Sequence, residues 1–359
     1  FILPGFITMR LADMVGVMHL MALTVIVTVT LQGRLRFHWR RLVASLGIVL
    51  VSLAVGGALS RWYLTSTTLE YDLDDRLLSL SVPSPYEDVV VFRSRDDVPN
   101  RQRLDGSTLE RLKTEKVLRV GYHADHLPYS FFNRNGELVG LDVDLMHRLA
   151  ARLQVRLEFV PYEYETIVEQ LESGEIDLVI GGLIMNPERL LHVGFTQPYQ
   201  TATIAVVVPD HRRGEFDTWD DPHMTPDLRL AVVYEDLANA ARRQLPNKTI
   251  VEIDSASAFF QGTDKDLTGL IIPAEEGAAW NVLYPEHTVV VPEPLVQRPV
   301  SMAVRSTDLS WLRFLDGWLE FQKMDGSPDR LRAYWIEGGG TKERAPRWCV
   351  LRDVLRWIP

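Results

Sequence analysis

The sequence predicts an α/β protein of two small lobes carried behind two transmembrane α-helices. Three observations point there: two long uncharged apolar stretches within the first 64 positions, a polar acidic segment after them, and alternating strand and helix patterns from position 109 onward. A length of 359 residues allows two or three folded units. The formal net charge of −10 argues against a nucleic-acid surface, because holding phosphates needs clustered lysine and arginine. Cys349 is the single cysteine and has no internal partner, so cysteine content leaves the compartment open. Phe at position 1 suggests a fragment or a processed chain.

Stretch 14–32 has only His19 as a titratable group, and stretch 42–60 has none. Each has about the twenty residues that a helix needs to span a bilayer core. Buried core helices are the alternative, although soluble helices rarely stay uncharged around their whole circumference. Between the stretches, Arg34-Leu-Arg-Phe-His-Trp-Arg-Arg41 puts four arginines on a short loop that should stay cytoplasmic. Everything after about position 64 is then extracytoplasmic. Arg10 and Asp13 form either a functional charge pair or an interfacial edge. Positions 65–107, with Asp72, Asp74, Asp75, Glu87, Asp96 and Asp97, predict an extracytoplasmic linker with some strand near 89–92.

The pattern then predicts strand 117–121, helix 142–153, strand 156–160, helix 165–172 and strand 177–181, a βαβαβ unit with a parallel sheet. A second block follows, with strands 228–233, 249–253 and 270–272 and helices 236–244 and 275–283. Strand 300–304 and helix 309–323 close it. The expected solute-binding domain spans 108–338, with lobe 1 at 108–207 and 296–338, lobe 2 at 208–295, and crossings near 207–210 and 292–297. Ligands bind such sheets beyond the carboxyl ends of the strands.

Gly181-Gly-Leu-Ile-Met-Asn-Pro-Glu-Arg189 follows a buried strand. Asn186 suits an N-cap and Pro187 a first helical residue, which places Arg189 in the first turn. Free N–H groups and a guanidinium fork then converge on one point suited to a carboxylate, with Gly182 allowing close approach. An ordinary capped helix whose arginine pairs with a neighbouring acid fits the spacing equally well. Asp142 and Asp144 are expected to cap the helix that follows. His123 and His126 can bind ligand or make ordinary hydrogen bonds; without a third clear ligand they do not predict a metal site, and no cofactor is expected.

Leu118-Arg-Val-Gly-Tyr122, Pro128-Tyr-Ser-Phe131, Gly136-Glu-Leu-Val-Gly-Leu-Asp-Val-Asp144, Leu171-Glu-Ser-Gly-Glu-Ile-Asp177 and Asn186-Pro-Glu-Arg-Leu190 occur in that order. Together they resemble the bacterial family 3 extracellular solute-binding proteins, over about two thirds of the chain. The resemblance implies a two-lobed periplasmic-binding-protein type II fold that captures amino acids for transport by cleft closure. It implies that Arg189 grips a ligand carboxylate and that Tyr164 stacks on the ligand. Four departures stand out: Ile184 replaces a small hydroxyl residue, His123 an acid, His126 an aromatic residue, and Glu235-Asp236 a Gly-Ser/Thr pair. Glu275 or Glu276 lies nearest to the acid that would hold an ammonium group.

Arg10-Leu-Ala-Asp13, Met18-His-Leu-Met-Ala-Leu23, Glu275-Glu-Gly-Ala-Ala-Trp280 and Tyr334-Trp-Ile336 are similar to fusions of a sodium:dicarboxylate symporter-type membrane portion with a family 3 domain. That resemblance implies a transporter membrane domain as partner, beside the bilayer and a small carboxylate-bearing ligand. Tail 339–359 predicts an amphipathic helix, with Trp348, Leu351, Val354, Leu355 and Ile358 on one face, lying on the membrane or on the domain. Binding without catalysis is expected. The alternatives are a sensing or interaction module with a degenerate cleft, and a dehydratase-like enzyme for which Glu275 is the nameable general acid.

Overall fold

The computed structural model describes residues 39–67, 73–101, 106–219, 228–233, 235–262, 264 and 266–339, together with Met21, Thr24, Val27 and Thr28. Two compact units divide the chain, Phe1–Glu70 and Tyr71–Pro359. The expected C-terminal helix lies outside the described residues, as do Arg10, Asp13 and nearly all of stretch 14–32.

In the first unit α1 (Trp39–Thr67) is one helix of 29 residues, so the second apolar stretch forms the element its composition dictates. Val43, Leu46, Ile48, Val49, Leu50, Val51, Leu53, Val55 and Leu59 are each more than half exposed. Their near-consecutive spacing puts apolar side chains on every side of the stretch 43–59. Counted over the described residues, no helix is long and apolar enough to cross a membrane.

The second unit begins with α2 (Leu73–Leu78) and β1 (Val89–Val91). β1 pairs in parallel with β6 (Arg156–Pro161), Val90 opposite Glu158. Tyr86, Val89 and Val91 pack on the main core. Much of the expected spacer is therefore built into the domain, because its valines complete a sheet edge that would otherwise stay open.

α3 (Thr108–Glu115) starts at Ser107, whose hydroxyl accepts from Leu109 N, and stops at left-handed Lys116. After it come β2 (Val117–Tyr122), a small antiparallel sheet of β3 (Asp125–His126), β4 (Ser130–Phe132) and β5 (Leu138–Val139), and α4 (Leu141–Leu153). In α4 the i, i+3, i+7 stripe Val143, Met146, Leu149, Ala150 is fully buried. β6 is followed by α5 (Ile167–Ser173), β7 (Leu178–Val179), the single turn α6 (Pro187–Leu190) and β8 (Val193–Phe195).

The second sheet holds β9 (Gln200–Pro209), β10 (Arg229–Val232), β11 (Thr249–Glu252), β12 (Gly269–Pro273) and β13 (His287–Val290) in the order β11-β10-β12-β9-β13. α7 (Glu235–Gln244), α8 (Ala256–Phe260) and α9 (Ala274–Leu283) connect them, and β14 (Gln297–Val300) pairs with β9. β15 (Ala303–Arg305) then returns to the first sheet, completing the order β1-β6-β2-β7-β15-β8, before α10 (Leu309–Met324) and α11 (Ser327–Trp335).

Two lobes joined by two crossings result, as predicted, but the crossings sit at 196–200 and 300–303 instead of near 207–210 and 292–297. The cause is the early start of β9: its first residues already pair with β14, Gln200 opposite Val300, so both strands belong to lobe 2.

Candidate functional site

The loop after β7 is held by a buried polar network. Gly181 (φ +115°) and Gly182 (φ +67°) occupy backbone conformations that side chains disfavour, and a Cβ on Gly182 would lie 2.6 Å from the Tyr129 ring. Their two N–H groups both donate to Asp142 Oδ2 at 2.8 Å, and the Tyr199 hydroxyl donates to the same carboxylate at 2.8 Å. This corrects two expectations. Asp142 does not cap α4, whose N-cap is Gly140 without a side-chain bond; it holds the glycine loop from the opposite side. Gly182 N–H is consequently committed to Asp142 and does not face a ligand. Asp144 likewise sits inside the helix, paired with Arg148 at 3.0 Å and accepting from Trp335 Nε1 at 3.2 Å. Burial pushes the Asp142 carboxyl up to about 6, against the opposing pull of its donors.

Asn186 caps α6 as predicted, its Oδ1 accepting from Arg189 N at 2.6 Å. Arg189 is thereby aimed from the first turn, with its Cζ 5.5 Å from the centre of the Tyr164 ring. His126 is buried beneath Tyr164. Its Nδ1–H must donate to the Gly181 carbonyl, which can only accept, so its Nε2 accepts from the Tyr164 hydroxyl. Both ring nitrogens are used, and burial pushes the His126 pKa down to about 3, so the ring stays neutral and unavailable to a metal. His123 stands 4.9 Å from His126 and 5.8 Å from Tyr164 between ring centres, also lowered in pKa by burial. Arg189, Tyr164, His126 and His123 thus form one wall.

Lobe 2 supplies the facing wall. A cavity of about 400 Å³ is lined by Glu163, Tyr164, Glu165 and Arg189 from lobe 1 and by Glu252 and Asp254 from lobe 2. A second cavity of about 250 Å³ shares Tyr164 and Arg189 and adds Asn239 of α7. Glu252 also accepts from Arg242 Nη2 at 2.6 Å. The lobes touch beside this cavity, where Asp125 Oδ2 accepts from Ser257 N at 3.2 Å at the start of α8. Burial raises the Asp125 pKa, and the Ser257 bonds oppose that shift.

Of the remaining predicted residues, Ile184 and Glu275 are not gathered at this wall. Ile184 is 6% exposed, pairs its backbone with Val300 at the crossing, and packs on Ile204 and Val206. Its side chain is core, which accounts for the missing hydroxyl. Glu235 and Asp236 open α7, and their side chains lie outside the described residues. Glu275 opens α9 and lines neither cavity. Residues missed in the sequence are Glu163, Glu165, Glu252, Asp254 and Asn239. Glu252 ends β11 and Asp254 lies just beyond it, the strand end where ligands are expected, so a signal for them existed.

The family described as bacterial extracellular solute-binding proteins, family 3, matches residues 118–338. A cyclohexadienyl dehydratase from Pseudomonas aeruginosa is 26% identical over 238 residues, 64% of this chain and 87% of that protein. The L-cystine-binding protein TcyJ of Escherichia coli K12 is 30% identical over 117 residues, 33% of this chain and 44% of its own length. Among solved structures, the ancestral amino acid-binding protein AncCDT-1, described as a precursor of cyclohexadienyl dehydratase, is 31% identical at a TM-score of 0.58, covering 64% of this chain and 100% of that one.

Proposed function

The chain belongs to family 3 of the bacterial extracellular solute-binding proteins, and from that premise we propose that it captures an amino acid by closing its two lobes, for delivery to a membrane transporter. The observation that carries this reading is the cavity between the lobes, with Arg189 and Tyr164 on one side and Glu252 and Asp254 on the other. Arg189 is the fork for the ligand carboxylate and the Tyr164 ring its stacking face. Four lining carboxylates repel a second ligand carboxylate and attract a positive group, so a zwitterion with a cationic end suits the cleft better than a dicarboxylate.

The segment before position 70 is read as a membrane anchor, supported by the apolar side chains on every side of the stretch 43–59 and the arginines just before it. Its kinship with a symporter-type membrane portion rests on the sequence motifs alone.

A thermal-shift screen of the full chain against amino acids and dicarboxylates, repeated with Arg189→Ala, tests the reading. Ligand at 100 times Kd should add about 2.7 kcal/mol of stability. A shift that vanishes in the variant supports carboxylate capture. The absence of any shift in a well-folded chain favours the degenerate-cleft reading instead. Dehydration of a cyclic acid is the second reading, favoured by the resemblance to a cyclohexadienyl dehydratase. It requires a general acid at the cavity, which Glu275 does not line, and turnover by the purified chain decides it.

A further inference from the structure

We propose that residues 73–81 form a clasp that ties the two lobes together apart from their crossings and responds to cleft closure. The inference rests on the closure reading above, but its residues lie outside the 118–338 family match.

The segment holds both lobes at once. On the lobe 1 side, Leu78 O accepts from Arg134 N at 2.7 Å, Leu80 O from Asn133 Nδ2 at 3.0 Å and Ser81 O from the Tyr334 hydroxyl at 2.9 Å. Asp75 adds an ion pair with Arg134. On the lobe 2 side, α2 packs directly on α9, the helix that covers β9 and β13. Leu77 and Leu78 join a hydrophobic cluster whose members include Phe131 of lobe 1 and Trp280 of lobe 2. Lobe 2 moving away from lobe 1 must therefore peel α2 from one of them.

The docking is also built to be reversible. Asp74 Oδ1 on α2, and Trp280 Nε1 and Asn281 Oδ1 on α9, are buried without hydrogen-bond partners. Burying such atoms costs free energy that water returns when the helices separate. The docked contact thus carries an unmet polar cost that parting of the lobes relieves.

The test is hydrogen exchange on the full chain in detergent, reading the amides of 73–81 and 274–283. Asp125→Ala removes the carboxylate that joins lobe 1 to Ser257 and needs no ligand. Exchange at 73–81 should then rise several-fold, and L-arginine added to the unaltered chain should lower it. By reciprocity, Leu77→Asp should raise exchange at 274–283 and weaken L-arginine binding several-fold. Asp75→Asn, at an exposed pair, should do the same to a smaller degree if Leu77→Asp does not fold. The clasp is overturned if exchange at 73–81 is identical in Asp125→Ala and the unaltered chain, or if the clasp variants disturb 73–81 alone. A chain that binds no L-arginine counts against the proposed ligand class; the Asp125→Ala arm still decides the clasp.

Discussion

In lobe 1 Tyr164 faces the cleft at the end of a chain of buried hydrogen-bonded groups, whereas in lobe 2 Glu252, Asp254 and Asn239 stand on a strand end and a helix. Tyr164 is fixed by His126, His126 by the Gly181 carbonyl, and the glycine loop by Asp142 and Tyr199. Each link uses a hydrogen-bonding capacity that burial would otherwise penalise, so Tyr164 is oriented by the protein's own interior. Glu252 and Asn239 are bridged at the surface by Arg242, which donates to both, so their support is exposed where that of Tyr164 is buried. The difference teaches a division of labour. Under the proposed capture, lobe 1 sets where a carboxylate and an aromatic contact sit, and lobe 2 adjusts charge around them.

The strongest blow to this contrast would come from Asp142→Ala, which strands two glycine N–H groups and a tyrosine hydroxyl in the interior. Unfolding in urea should show a loss of roughly 3–5 kcal/mol. A loss below about 1 kcal/mol would mean that the glycine loop is not held as described.

Arg189→Ala should leave the fold intact and weaken ligand binding by about 10- to 100-fold, the scale of a charge-assisted contact. Isothermal titration calorimetry on the full chain measures it, and unchanged affinity would move the carboxylate site elsewhere.

The pH dependence of the same wall comes next. The folded pKa of Asp142, about 6, stands above its ordinary 3.8, so the folded state holds this proton more tightly than the unfolded chain does. Its stabilising effect is present below about pH 4 and is lost as pH rises through about 6. Asp142→Asn removes the titration. Relative to that variant, the unaltered chain should lose about 1–2 kcal/mol between pH 4.5 and 7. A flat difference would show that the donors outweigh burial.

Least of all, Glu252→Gln and Asp254→Asn should each weaken L-arginine binding about two- to five-fold, the range for exposed charge pairs. The effect should shrink in high salt. A loss as large as that of Arg189→Ala would erase the contrast between the lobes.

Much of this was legible in the residues. The buried strands 117–121 and 177–181, the amphipathic helix after Gly140 and the Asn186 cap with Arg189 behind it are local patterns, and local patterns survive folding. Ile184, Asp142 and segment 73–101 were misjudged for a shared reason. Their partners lie far along the chain, at Val300, at Gly181 and Gly182, and at β6 and α9. Nothing in their own neighbourhood announces which partner wins.

The sequence by itself determined most element types, the two-lobed class and the Asn186 cap that puts Arg189 in a first turn, because periodicity, caps and glycine positions act over a few residues. Only the tertiary structure decided that Asp142 braces the loop from behind, that His126 orients Tyr164, that Glu252 and Asp254 face Arg189, and that residues 73–81 span both lobes. Those outcomes depend on which distant surfaces meet, and that is settled by burying the most apolar area while leaving the fewest polar groups unpaired.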